Sequence, residues 1–269
     1  MPTASIGAIA EFLTHGYWAA EGPRRFADSA ITFNVIGLEP ERATLARKAF
    51  EAWADVASLE FREVIGAAQI MVDDEGQGAH AASTVVNGII SQSRINVAKD
   101  WFGGSDEINS YTYQTFIHEI GHALGLGHAG PYNGAAPPYK AGDATWQESL
   151  MSYHSQKNGA SYAYAVTPMP ADIEAMQRVY GASNETAGDT IHRPTLAAAM
   201  TIYDAGGNDT LDLSAYSQDQ TVDLRPGAYS DVGGLKGNLA IVGTIETVIG
   251  GSGDDHFIVP SSGSFFIVG

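Results

Sequence analysis

The spacing of apolar residues changes character along the chain. Between residues 39 and 56, Leu45, Ala49, Ala52, Trp53 and Val56 fall on one face of a helix that Glu39-Pro40 would open. A second amphipathic helix is predicted over residues 170–181, with Ile173, Met176 and Val179/Tyr180 as its stripe and Gly181 at its C-terminal cap. Alternating or β-branched residues predict strands at 31–36, 59–64, 69–72 and 94–98. In residues 111–125, Phe116, Ile117, Ile120, Ala123 and Leu124 make a third helical stripe. After residue 185 the pattern breaks into short apolar pairs between Gly, Asn and Asp, as in Gly206-Gly-Asn-Asp-Thr-Leu-Asp-Leu. A flexible linker has no reason to follow each Gly/Asp group with alternating apolar residues. A boundary is therefore expected near residue 185, between a mixed α+β domain (1–185) and a glycine-rich domain (186–269).

The third helix carries the chemistry. His118 and His122 are four residues apart, so both imidazoles leave one side of the helix, a turn from each other. Glu119 projects about 100° away and can approach a metal-activated water without ligating the metal. Gly125 can adopt the positive φ that ends a helix, turning the chain so that His128 returns as a third ligand. The two-histidine pattern alone arises often by accident; the full pattern His118-Glu-x-x-His-x-x-Gly-x-x-His128 does not.

Composition narrows the partners. With 14 basic and 31 acidic residues the net charge is −17, which disfavours nucleic acid and anionic membranes and suits hard cations. No run approaches the ~20 apolar residues of a membrane helix. Cysteine is absent, which excludes disulfides, thiolate metal sites and a thiolate latency switch. The N-terminal stretch lacks the basic and apolar regions of a signal peptide.

His118-Glu-x-x-His-x-x-Gly-x-x-His resembles the zinc signature of the metzincin metalloproteases. Ser149-Leu-Met-Ser-Tyr153 looks like the methionine turn of the serralysin branch, and Leu13-Thr-His-Gly-Tyr-Trp18 agrees with it. The resemblance implies zinc on His118, His122 and His128, Glu119 as general base, and Met151 as an apolar floor. It also makes Tyr153 the tyrosine that can ligate zinc and swing away to stabilise the intermediate. Protein or peptide substrates would add as a strand to an edge of the sheet, for which 94–98 is the candidate. His15, His80, His154, His192 and His256 read as surface or hydrogen-bonded residues.

The glycine-rich half resembles calcium-binding repeats of the form G-G-x-G-x-D-x-U-x, which stack into a parallel β-roll. Gly250-Gly-Ser-Gly-Asp-Asp-His-Phe-Ile fits nearly whole, with Gly251, Gly253 and Asp255 as ligands and Phe257 as the buried residue. In the earlier match Asn208 replaces the third glycine. By resemblance, one Ca²⁺ site takes Thr186, Gly188, Thr190, Asp204, Gly206 and Asp209; a neighbour takes Gly207, Asp209, Thr244 and Glu246. The array is expected to stop before residues 260–269, whose Phe-Phe-Ile-Val is a candidate for part of a C-terminal export signal read by a one-step bacterial exporter. The implied protein is a secreted, monomeric zinc endopeptidase with a calcium-stabilised second domain, restrained by another residue or by a proteinaceous inhibitor. The competing reading is a calcium-dependent adhesion module whose protease half is inactive.

Overall fold

The protein is described by a computed structural model covering residues 4–194 and 197–269. Residues 1–3, part of the N-terminal stretch read as lacking a signal peptide, lie outside the described residues. Helix α1 (Ile6–Glu11) is capped by Ser5, whose hydroxyl accepts the Ala8 N–H at 3.2 Å. It continues through a wider-turned segment, Phe12–Gly16, and buries Ile9, Ala10 and Leu13. Six strands follow in the first half: β1 (Arg25–Phe26), β2 (Ala30–Gly37), β3 (Glu60–Glu63), β4 (Ile70–Asp73), β5 (Ala79–Val86) and β6 (Ile89–Val97). They form one sheet in the order β1-β6-β4-β2-β3, all parallel, with β5 added antiparallel to β6.

Helix α2 (Pro40–Ala54) buries the predicted stripe, with Pro40 in its first turn where no donor is needed. It packs on α3 (Tyr111–Ala123), and the Trp53 indole donates to the Ile117 carbonyl at 3.0 Å. Trp53, Phe116, Ile117, Ile120 and Leu124 are fully buried, each worth about 1.5–3 kcal/mol of transfer free energy. Helix α4 (Pro170–Tyr180) packs against α1 and ends at Gly181 with φ of 87°.

The candidate substrate edge at 94–98 is corrected by this sheet. Arg94 to Val97 lie in β6, between β4 on one side and β5 on the other. The free edge beside α3 is β5. Alternation in Arg94-Ile-Asn-Val reports a buried face and says nothing of hydrogen-bonding neighbours. Ala79-His-Ala-Ala-Ser-Thr-Val-Val escapes detection because its first six residues carry no large apolar side chain and none of the eight is fully buried.

The second half holds β7 (Ile191–His192), β8 (Met200–Tyr203), β9 (Thr210–Asp212), β10 (Thr221–Asp223), β11 (Tyr229–Val232), β12 (Leu235–Val242), β13 (Thr247–Ile249), β14 (His256–Ile258) and β15 (Phe266–Val268). One sheet, β15-β13-β9-β7, is parallel throughout. The other, β14-β10-β11-β12-β8, is a parallel coil interrupted by β11, which is antiparallel to both neighbours. Two sequence expectations change here. The array does not stop before residue 260, since Phe266–Val268 pair with β13; the segment was unreadable because no Gly/Asp run of the repeat form precedes it. Asn208 does not replace the third glycine either. Its N–H donates to Asp189 as the Asp254 N–H donates to Asp219, so Asn208 stands where Asp254 stands and Gly207 where Gly253 stands. A Cβ on Gly207 would come 2.7 Å from the Gly188 carbonyl, and one on Gly253 2.6 Å from that of Gln218, so backbone packs directly on backbone.

Candidate metal centre

Helix α3 starts at Ser110, whose hydroxyl accepts the Tyr113 N–H at 3.1 Å, and ends where Gly125 turns the chain with φ of 114°. The Trp18 indole donates to the Gly125 carbonyl at 2.8 Å, and the Gly127 N–H donates to Leu13 at 2.8 Å. The turn is thereby clamped by the N-terminal segment, and the three predicted histidines converge. One nitrogen from each of His118, His122 and His128 lies within 4.8 Å of the others, the only such cluster of His, Cys, Asp or Glu among the described residues.

The outer nitrogens explain this convergence. His118 Nδ1 lies 2.9 Å from the Leu150 carbonyl and His122 Nδ1 lies 2.8 Å from that of Leu126. A carbonyl only accepts, so both Nδ1 atoms carry the proton and both Nε2 atoms keep a lone pair. His128 Nδ1 faces the Tyr17 hydroxyl at 3.1 Å. His122 Nε2 and His128 Nε2 stand 3.0 Å apart, two inward-facing nitrogens that a shared cation would reconcile. Burial lowers the His118 pKa to about 4 and that of His128 to about 3, and puts His122 well below the ordinary value. All three are neutral at neutral pH, the form that binds a metal. Three neutral imidazoles with outer nitrogens already engaged fit zinc.

Glu119 is buried, and its Oε2 has no hydrogen-bond partner. Burial pushes its carboxyl up to about 8, against the opposing effect of the Ala81 amide on β5. Met151 is fully buried beneath α3, its sulfur close to Gly121. Its turn is held by Asp172, which accepts from Ser149 Oγ at 2.5 Å, Leu150 N–H at 2.8 Å and Met169 N–H at 2.9 Å. Asp172 thus positions Leu150, the residue that orients His118. The Tyr153 ring lies 4.5 Å from that of His128 and stacks at 4.8 Å on Tyr132; its hydroxyl accepts the Gly134 N–H at 3.2 Å.

Two cavities meet at Glu119 and Tyr153. One of about 240 Å³ contains Tyr17, Arg24, His80 and Asn133; the other, about 300 Å³, contains Trp101, Phe102, Tyr111 and Trp146. Strand β5 borders both through Ala79. Of the remaining histidines, His80 lines the first cavity, while His154 is buried and lines neither. Tyr17, Tyr132, Arg24 and Asp172 were missed by sequence reasoning. Tyr17 sits inside a recognised motif, but its partner is 111 positions away and no local pattern announces the pairing.

In the second half, Asp204 and Asp209 are buried together; Asp204 Oδ1 and Asp209 Oδ2 have no hydrogen-bond partner. Burial and the Asp209 charge push the Asp204 carboxyl up, and His192 stands 3.5 Å from Asp204. Asp209 Oδ1 accepts the Thr190 N–H at 2.7 Å, and Glu246 Oε2 accepts the Asp209 N–H at 2.8 Å. These contacts bring Thr190, Asp204, Asp209 and Glu246 together. Gly206 meets them through its N–H on Asp204, and Gly207 is packed on Gly188. The Thr186 hydroxyl accepts the Ala205 N–H at 2.9 Å, tying it to the same turn, and Thr244 precedes Glu246 in the turn before β13. Asp255 differs. It is half-buried, and both oxygens accept backbone N–H groups, from Gly251 at 2.6 Å and Gln220 at 2.9 Å. Orphaned carboxylate oxygens fit a hard cation at Asp204 and Asp209, and that signal is absent at Asp255 with Gly251 and Gly253.

Comparison with known proteins agrees with this architecture. A profile of the peptidase M10 family described as matrixin matches residues 26–181, and one described as the peptidase M10 serralysin C terminal matches residues 171–268. Serralysin from Photorhabdus sp. (strain Az29) is 33% identical over 305 residues, covering 94% of this chain and 63% of that protein. Serralysin C from Dickeya chrysanthemi is 39% identical over 250 residues, covering 79% and 52%. Serralysin from Proteus mirabilis is 34% identical over 255 residues, covering 78% and 52%. The chain therefore spans between about half and 63% of the length of these curated relatives. With the matrixin profile lying over most of the first half and the serralysin profile over the second, the chain belongs to the serralysin-type metzincins of the peptidase M10 family.

Proposed function

We propose that this chain is a secreted zinc endopeptidase that hydrolyses peptide bonds in protein substrates. The observation that carries the reading is the convergence of three neutral imidazoles beside a buried carboxyl in a cleft bordered by a free strand edge. His118, His122 and His128 would hold the metal. Zinc in such a site supplies Lewis acidity and makes a water acidic enough to lose its proton near neutral pH. The chain's own residues do the rest. Strand β5 pairs with an extended substrate backbone and fixes the scissile carbonyl over the site. With a divalent cation beside it Glu119 would ionise, and it would then take the proton of the attacking water at Oε2 and pass it to the departing amine. Tyr153 turns its hydroxyl from the Gly134 N–H towards the developing oxyanion. The aromatic cavity takes a large apolar side chain of the substrate.

Residues 1–185 form the protease domain in this reading and 186–269 the calcium-binding domain. Asp204 and Asp209 supply the charged ligands of one Ca²⁺, with carbonyls of Thr186, Gly188, Thr190 and Gly206. Glu246 and Asp209 serve the neighbouring ion with Gly207 and Thr244. Gly251, Gly253 and Asp255 are the least supported set, because both Asp255 oxygens already accept amides. Calcium outside the cell would order this domain after export; among the described residues no helix is long and apolar enough to cross a membrane. The test is casein hydrolysis after chelation, restoring zinc and calcium separately, with Glu119→Gln as control. Activity that returns with zinc and vanishes in Glu119→Gln supports the reading; a zinc-loaded protein that leaves casein uncut sinks it in favour of the adhesion module.

A further inference from the structure

The two ends of the cleft differ in charge as well as in shape. The aromatic end is lined by no Asp, Lys or Arg, and its one carboxyl is Glu119, which faces both cavities. The opposite end presents Arg24 and His80, and again its only carboxylate is Glu119. A cation here runs against a molecule whose net charge is −17. Its placement is constrained. The Arg24 guanidinium carbon lies 3.6 Å from the centre of the Trp18 ring, and that indole is itself fixed by its bond to Gly125. The Arg24 Nε is buried with no hydrogen-bond partner, although its side chain is 21% exposed. Nη2 meets Glu21, whose side chain is 69% exposed. Glu21 is mostly exposed, so its ion pair with Arg24 is weak and an arriving carboxylate can displace it. A guanidinium held flat on an indole keeps its fork pre-organised for a carboxylate.

The geometry points to Arg24 as a specificity-determining residue that selects an Asp or Glu side chain in the substrate. Strand β5 sets the distance. Ala79 borders both cavities and Ser83 lies only in the Arg24 cavity, so at ~3.3 Å per residue a paired substrate reaches Arg24 within about four residues of the scissile bond. The acidic side chain and the large apolar side chain then fall on opposite sides of that bond. This inference rests on the peptidase reading above.

The test uses the full chain loaded with zinc and calcium, and a peptide library whose cleavage products are read by mass spectrometry. Wild type is expected to favour Asp or Glu over Ala about tenfold in kcat/KM at one position on a single side of the cut. Arg24→Ala is expected to bring that ratio close to one. The ratio is the readout, so a general loss of activity from disturbing the Gly125 turn does not imitate it. Glu21→Gln, which removes the competing carboxylate, is expected to raise the ratio severalfold while acid-free peptides are cut at the wild-type rate. A flat wild-type profile, or an acidic preference that survives in Arg24→Ala, overturns the inference while leaving the peptidase reading standing. Absence of any cleavage overturns both.

Discussion

The two halves of this molecule bury their candidate metal ligands in opposite ways. In the first, the Nδ1 atoms of His118 and His122 are held by carbonyls and that of His128 by the Tyr17 hydroxyl, and burial keeps all three rings neutral, so the cluster exists before an ion arrives. In the second, the buried carboxylates of Asp204 and Asp209 each leave an oxygen unpartnered in the turn between β8 and β9, beside an all-parallel sheet whose strands are only two or three residues long. Neutral ligands can be buried without their metal at modest cost, whereas anionic ones cannot. On the proposed reading, the first site is a feature of a fold that stands without its ion, and the second would contribute to the folding of its own domain.

The comparison can be broken in several places. If the protease scaffold is pre-built, Glu119→Gln removes chemistry and nothing else. We expect casein cleavage to fall about a thousandfold, with zinc content by metal analysis and Tm close to wild type. Gly125→Ala attacks the scaffold instead, because the new Cβ would come 2.0 Å from the Arg24 carbonyl at a backbone angle that alanine resists. His128 must then shift, and we expect about a hundredfold loss of activity together with weaker zinc binding in a competition titration. Calcium chelation should erase hydrogen-exchange protection in strands β7 to β15 while α2 and α3 keep theirs; zinc removal alone should do neither. Asp209→Ala should weaken calcium binding by about tenfold or more in calorimetry without altering zinc content.

A smaller effect comes from Asp172 under the methionine turn, where burial pushes the carboxyl up to about 7 from 3.8. The folded state then binds a proton more tightly than the unfolded chain, so this group's stabilisation is complete below about pH 4 and is lost as pH rises through about 7. Asp172→Asn can accept the Leu150 and Met169 amides at Oδ1 and donate to Ser149. It should flatten the fall in Tm between pH 5 and 8 by a few degrees. An unchanged slope would mean that the three donors, not burial, govern this group.

Legibility in the sequence followed the same divide. The active helix could be read because one thirteen-residue element carries both its buried stripe and two of the ligands, and Gly125 states where it ends. What surrounds it could not, since Tyr17, Arg24 and Tyr132 reach the site through loops whose pairing partners are distant or unpatterned. Strand β5 was hidden by its small residues, and its role was assigned to the better-patterned 94–98. In the second half the repeat made the coil visible, but a glycine shift at Asn208 and an unmarked last strand misled the register and the end.

The clamp on the Gly125 turn ties the opening segment to the histidine cluster. Leu13, Tyr17 and Trp18 reach residues 125–128 across more than a hundred positions of chain, so the last imidazole is aligned only when the opening segment has docked. Ile9, Ala10 and Leu13 of that segment belong to the same buried core, so closing the core and aligning His128 are one docking step. Removing the opening segment would therefore cost both packing and the third imidazole's position.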